Sequence, residues 1–305
     1  MQKSKFLTGV TLVAAAGLAV LTILVTGAMA GIAAKSGNPG IAPPAGRHWY
    51  LTWHDEFNKG KASLKGWHYD LGGGGWGNNE QEVYTKSARN AFVAQGCLNI
   101  QVIGRKFGGR VRYTSARITT RNIFNQKYGL FVFRARLPKG RGLWPAIWMM
   151  PQKSVFGAWP QSGEIDIMES RGNWVHHVQG SLHSGNRWNQ DNTQTKIYRL
   201  PHGQSATGWH TYALEWEPVA DPHHPAKKLV RISWFVDGYC YETRQGGWTV
   251  PQSDASHNPN APFNHAFHLI LNMAVGGNYV GGKTPGPGRY AMRIAYIRAY
   301  GLTGH

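Results

Sequence analysis

Short segments rich in branched and aromatic residues, each cut off by a glycine- or proline-bearing turn, recur from about Trp49 to the C-terminal end. No other feature restricts the fold so strongly. Alternating or β-rich runs cover residues 98–103, 112–119, 128–137, 144–149, 164–167, 211–216, 229–236, 268–273 and 291–300. Runs of this length between turn residues read as strands. The stretches 104–109, 138–142, 218–225 and 281–288 read as loops. No segment keeps the apolar period of an ordinary amphipathic helix, and no internal repeat is visible. Many strands with few helices predict an all-β sandwich or barrel, one domain over about residues 48–302.

The N-terminal residues follow different rules. Residues 6–34 contain no charged side chain, Lys3 and Lys5 precede them, and Ala28-Met29-Ala30 offers a small-x-small cleavage site. Residues 1–30 therefore read as a signal peptide, or as an uncleaved signal anchor, since about 20 apolar residues suffice to span a bilayer. Either reading places the main domain outside: secreted, periplasmic or at the cell envelope. Residues 31–47, with Pro39, Pro43 and Pro44, read as a Pro/Gly-rich linker. In an exported chain Cys97 and Cys240 would form one bridge or stay two separate thiols, and spacing does not choose.

Composition narrows the function. The 305 residues carry 33 Lys and Arg against 15 Asp and Glu, a formal net charge of +18, with 13 Trp and 39 Gly. So many aromatics exclude a disordered chain, and so few acids exclude a coiled coil. The positive excess alone would suit a nucleic-acid partner, but no nucleic-acid motif accompanies it. Nucleic acid is thus not an expected partner. The 14 His are scattered and no Cys/His group has zinc spacing.

With acids this scarce, their placement is informative. Three of the 15 fall in six residues, Glu164-Ile165-Asp166-Ile167-Met168-Glu169. On a strand Glu164 and Asp166 share one face, while Ile165 and Ile167 turn to the core. Glu169 has the wrong parity, and one extra residue, a β-bulge at Ile167-Met168, would return it to the acidic face. Three carboxylates on one surface raise at least one pKa among them. A protonated and an ionised carboxyl about 5–5.5 Å apart is the requirement of retaining glycoside hydrolysis. In that reading Glu164 is the nucleophile, Glu169 the acid/base, and Asp166 the group that helps hold their pKa values apart. The competing readings are a solvated acidic strand edge and a calcium site. The isoleucines between the acids argue against the first, and the stiff strand against the second.

Around these residues the sequence resembles glycoside hydrolase family 16 in its laminarinase-like branch. The resemblance runs through GLWPAIWMMP at 142–151 and WPQSGEIDIMESRGN at 159–173, which is similar to the family's E-x-D-x-x-E signature in its bulged form. It continues through WHDEFN at 53–58, GWGNNEQEVYT at 75–85, YTSARITT at 113–120, GSLH at 180–183, HTYALEWEP at 210–218, WFVDG at 234–238 and LILNMAVGGN at 269–278. It implies a jelly-roll β-sandwich of two curved antiparallel sheets, with the signature strand crossing an open substrate cleft. By position it implies the same roles for Glu164, Asp166 and Glu169.

Trp144 and Trp148 share strand parity and would present their rings to sugars, or would be sandwich core. The resemblance favours the cleft for Trp144 and for Trp159. Asn78 and Asn79 would bond sugar hydroxyls or form an ordinary turn. Arg117 would reach the cleft or pair with an acid, and His183 would touch substrate or be a satisfied strand histidine. The chemistry requires no cofactor. The resemblance carries a structural calcium site near the last strand, where Ala295 stands in place of an Asp; a carbonyl remains there but no carboxylate, so calcium stays open. The expected function is exported, retaining cleavage of internal β-1,3 or mixed β-1,3/1,4 linkages in a β-glucan. A transglycosylase and a non-catalytic glucan-binding protein are the alternatives, and the survival of all three acids argues against the last.

Overall fold

The computed structural model describes residues 39–303, so the expected signal segment 1–30 and residues 31–38 lie outside the described residues. Among the described residues there are seventeen strands: β1 Trp49–Asp55, β2 His68–Asp70, β3 Glu82–Tyr84, β4 Ala91–Ala94, β5 Cys97–Phe107, β6 Arg110–Ser115, β7 Arg117–Thr119, β8 Gly129–Arg136 and β9 Leu143–Pro151. They continue as β10 Glu164–Glu169, β11 His177–Ser184, β12 Asn192–Arg199, β13 His210–Ala220, β14 Lys228–Val236, β15 Tyr239–Gln245, β16 Phe267–Val275 and β17 Gly288–Leu302. The only helical pieces among the described residues are two 3-10 turns, Gly60–Gly66 and Pro201–Gly203.

Two sheets form. A seven-stranded sheet has the order β12-β11-β10-β9-β16-β7-β2, and a ten-stranded sheet the order β15-β14-β13-β8-β17-β5-β6-β3, with β1 beside β17 and β4 beside β5. Every pairing is antiparallel except β3 with β6. Alternation explains how they stack. On β8, Phe131 and Phe133 enter the main core with Leu214 and Trp216 of β13, against Ile165, Ile167, Leu269 and Leu271 of the other sheet. Each such burial removes apolar surface worth ~1.5–3 kcal/mol from water. The opposite parity, Leu130, Val132 and Ala213, forms a separate cluster on the outer face of the large sheet.

That outer cluster includes Ile41, so the end of the Pro/Gly-rich stretch packs on the sheet rather than hanging free. The Trp49 indole donates to the Ile41 carbonyl at 3.1 Å, and Arg47 pairs with Glu217 at 3.4 Å.

Three sequence expectations need correction. The run 112–119 is two strands in different sheets, because the chain crosses between the layers at Ala116. The stretch 104–109 is mostly strand, since β5 runs to Phe107 and only Gly108-Gly109, with φ of 52° and 77°, makes the turn. Likewise β13 runs on to Ala220 into the stretch read as a loop from 218. Cys97 is buried and Cys240 exposed, and both are free thiols.

Candidate active site

The acidic strand β10 lies between β9 and β11. On its β9 side Asp166 faces Trp148, while Met168 faces Ile147 and Glu169 faces Ala146; one residue of β10 has no partner. On its β11 side Asp166 faces Ser181 and Glu169 faces Gln179. The bulge therefore falls at Ile167-Met168. Both of those side chains enter the core, which returns Glu169 to the face of Glu164 and Asp166. From the opposite sheet the Trp234 indole donates to the Asp166 carbonyl at 2.8 Å and pins the strand where it bulges.

The carboxylates line a cleft of about 720 Å³ and are held by named donors. The Trp159 indole donates to Glu164 Oε2 at 2.7 Å. The Trp144 indole donates to Glu169 Oε1 at 2.8 Å and the Gln179 amide to Oε2 at 3.1 Å. His183 stands opposite Glu164 on β11. Its Nε2 is 3.1 Å from Asp166 Oδ2 and 4.0 Å from Glu164 Oε1, and its Nδ1 is 2.7 Å from Asp191 Oδ2. The Asp166 approach lies outside hydrogen-bond geometry, so it acts through charge, whereas the Asp191 contact is a formed hydrogen bond.

Burial raises the Asp166 carboxyl well above the ordinary range, and the neighbouring Glu169 and Glu164 charges add to it; His183 opposes. Burial also raises Glu169, against the hydrogen bond from Trp144. For His183 burial disfavours the cation, but the Glu164 charge and the contacts to Asp166 and Asp191 overcome it and hold its pKa up at about 12. The group is one electrostatic unit: a fixed cation amid carboxyls that compete for protons. Glu164, Asp166 and His183 are also the one metal-compatible trio among the described residues, with ligand atoms within 4.8 Å of one another. Near Ala295, at a bulge in β17, there is no such group. Ala295 itself offers only its carbonyl oxygen, which suits calcium less than a carboxylate would.

The wall residues divide clearly. Trp144, Trp148, Trp159, Asn78, Arg117 and His183 all line the cleft. Trp144 does so while bonded to Glu169 and stacked on Tyr279 at 4.6 Å. Arg117 combines both of its readings, bonding Asp70 at 2.9 Å while its guanidinium lies 4.7 Å from the rings of both Trp76 and Trp148. Asn79 is not brought there: it is a left-handed turn residue, φ 59°, whose amide donates to Asn278. Gln179, Asp191 and Tyr279 were not foreseen. Gln179 has the parity of His183 on β11, a usable signal, whereas Asp191 sits in a loop with no pattern to mark it.

A cleft floored by buried carboxyls and walled by indoles, on one sheet of a β-sandwich, defines a glycoside hydrolase. Comparison with known proteins agrees. Residues 78–213 match the family model described as XgeA-like, catalytic GH16 domain. The chain is 40% identical over 261 residues to the β-glucanase of Rhodothermus marinus, covering 83% of this chain and 85% of that protein. It is 38% identical over 268 residues to glucan endo-1,3-β-glucosidase A1 of Niallia circulans, covering 82% of this chain but 37% of that longer protein. The crystal structure of the Rhodothermus marinus laminarinase superposes with a TM-score of 0.68 at 37% identity, covering 85% of this chain and 99% of that one. The chain belongs to glycoside hydrolase family 16.

Proposed function

We propose that the protein is an exported, endo-acting β-glucanase that cleaves internal β-1,3 or mixed β-1,3/1,4 linkages with retention. The observation that carries it is the bulge in β10, which sets three carboxyls on the floor of one indole-walled cleft. The names of the relatives supply the glucan. The cleft lining runs across the seven-stranded sheet from Ile197 on β12 to Arg117 on β7, which suits a polymer lying across it.

In this mechanism Glu164 attacks the anomeric carbon, and the bond to the leaving sugar oxygen breaks as Glu169 gives that oxygen its proton. The glycosyl ester on Glu164 is then opened by water, whose proton returns to Glu169. Burial raises the Glu169 carboxyl and so favours its holding the proton it donates, and Trp144 with Gln179 orients the carboxyl. Trp159 holds Glu164 by Oε2, leaving Oε1 for attack. The His183 cation offsets the charge of Asp166 and Glu164 as the ester forms and breaks. No metal or cofactor enters any step. The uncharged N-terminal stretch supports export.

Glu164→Gln should abolish release of reducing ends from laminarin while leaving circular dichroism unchanged. With the unmodified enzyme, NMR should show the β-anomer of the product first. Normal activity in the variant removes Glu164 as nucleophile, and an initial α-anomer removes retention. Sizing the products on laminarin, lichenan and curdlan fixes the linkage, and products longer than the substrate would mark a transglycosylase.

A further inference from the structure

Two more of the scarce acids meet at the same cleft, and the mechanism above uses neither. Glu80 lines the cleft just before β3, and Glu82 opens β3 almost wholly buried, its side chain against that of Glu80. Glu82 Oε2 accepts the Val275 backbone N–H at 2.6 Å, but its Oε1 is buried without a donor. Glu80 Oε2 accepts from the Tyr84 hydroxyl at 3.3 Å. That hydroxyl accepts from the Asn272 amide at 2.8 Å, and the Asn272 carbonyl oxygen accepts from the Trp148 indole at 2.8 Å. Trp148 stands directly opposite Asp166, and its ring carries the Arg117 guanidinium.

A buried acceptor without a donor is costly, and a single proton removes the cost. Placed on Glu80 and donated to Glu82 Oε1, it gives the chain one direction: Trp148 to Asn272, to Tyr84, to Glu80, to Glu82. We propose that Glu80 and Glu82 share one proton, and that this pair is a positioning unit, fixing Trp148 and Arg117 as the wall against which the sugar beside the cleavage point is seated. The proposal rests on the glucanase reading for its substrate. The electrostatics agree. Burial, then the contact and charge of Glu82, hold Glu80 up to about 8, against the pull of Arg117 and the Tyr84 hydrogen bond. Glu82, Tyr84 and Arg117 are the ionisable groups that bear on Glu80, from β3 and β7.

Above that pH the pair loses its proton to solvent, two buried carboxylates repel, and the wall loosens while the catalytic acids stay in place. Laminarin kinetics should therefore show KM rising about threefold to tenfold as pH passes about 8, the scale of one lost hydrogen bond, while any loss of kcat from Glu169 ionisation is common to the unmodified enzyme and Glu82→Gln. In Glu82→Gln the amide donates to the Glu80 carboxylate and the carbonyl still accepts from Val275, so KM should stay low on both sides of pH 8. Glu80→Ala should raise KM at every pH. Without substrate, 13C NMR of labelled glutamate should show one carboxyl titrating near pH 8 that is absent from Glu82→Gln. A Glu82→Gln profile that tracks the unmodified enzyme, or no such resonance, overturns the proposal. Should Glu80→Ala not fold, the other variant and the NMR titration still decide. Failure of the unmodified enzyme on laminarin would sink the glucanase reading, while the titration would still test the shared proton.

Discussion

His183 shows how much one side chain settles in this cleft. It lies across from Glu164, approaches Asp166 by charge and is anchored behind by Asp191. A charge-assisted hydrogen bond of that kind is worth ~1.5–3 kcal/mol before solvent screening, and Asp191 is partly screened. Asp191→Asn should therefore lower kcat on laminarin about tenfold, with the His183 ring becoming titratable at lower pH by NMR. Unchanged kcat would show that the ring needs no anchor. Of this arrangement the sequence made His183 visible as a candidate and left its role open. Asp191 was invisible, because a loop acid eight residues further on carries no periodicity and meets the ring only after β11 and β12 have paired.

At the scale of the strand, β10 is governed by its one unpaired residue. Alternation alone places Glu164 and Asp166 together, and the parity of Glu169 demands the bulge that the pairing with β9 shows. Met168→Ala keeps the residue count, so it should cost ~2–5 kcal/mol in urea unfolding yet retain activity per folded molecule. Deleting Met168 removes the extra residue, and plain alternation then keeps Glu169 on the face of Glu164 and Asp166, so the variant should retain measurable activity on laminarin without the bulge. A folded but inactive deletion variant would show that the bulge itself, and not parity alone, sets the position of Glu169. Strands with an apolar face were legible in this way. β11 and β12 were not, because HVQGSLHS and NTQTKIYR present mostly polar residues to the cleft and solvent. The crossing at Ala116 was hidden inside an unbroken β-rich run, since local pattern carries no mark of which sheet a strand joins.

Across the whole molecule the acids do more than their number suggests. Besides Asp166 and Glu169, Glu80 is raised to about 8 and Glu215 to about 7, all chiefly by burial. A carboxyl raised in the folded state binds its proton more tightly than the unfolded chain does, so stability falls as pH climbs from the ordinary carboxyl range to the folded value. His183 acts in the same sense over a different window, its contribution complete below about 6.5 and fading as pH approaches about 12. Tm should decline between about pH 5 and pH 8 by roughly 5 °C, and Glu82→Gln should flatten that slope at an unchanged overall trend in net charge. An equal slope in both proteins would show that the carboxyl pair holds no extra proton. The all-β sandwich or barrel was legible from the number of strands and the lack of amphipathic helices, and the jelly roll from the family resemblance alone. The positive excess that first suggested an anionic polymer is not concentrated in the cleft, where Arg117, Arg171 and His183 stand among Glu80, Glu164, Asp166, Glu169 and Asp191.

The packing of the first described residues has a use beyond stability. Arg47 donates to the Thr303 carbonyl at 3.0 Å, and Trp49 pairs with Leu302, so the two ends of the domain meet on the large sheet while the cleft opens on the other. Cargo fused at either end would leave the cleft mouth clear, and joining the ends would need only a short bridge. Such a domain is a ready-made module.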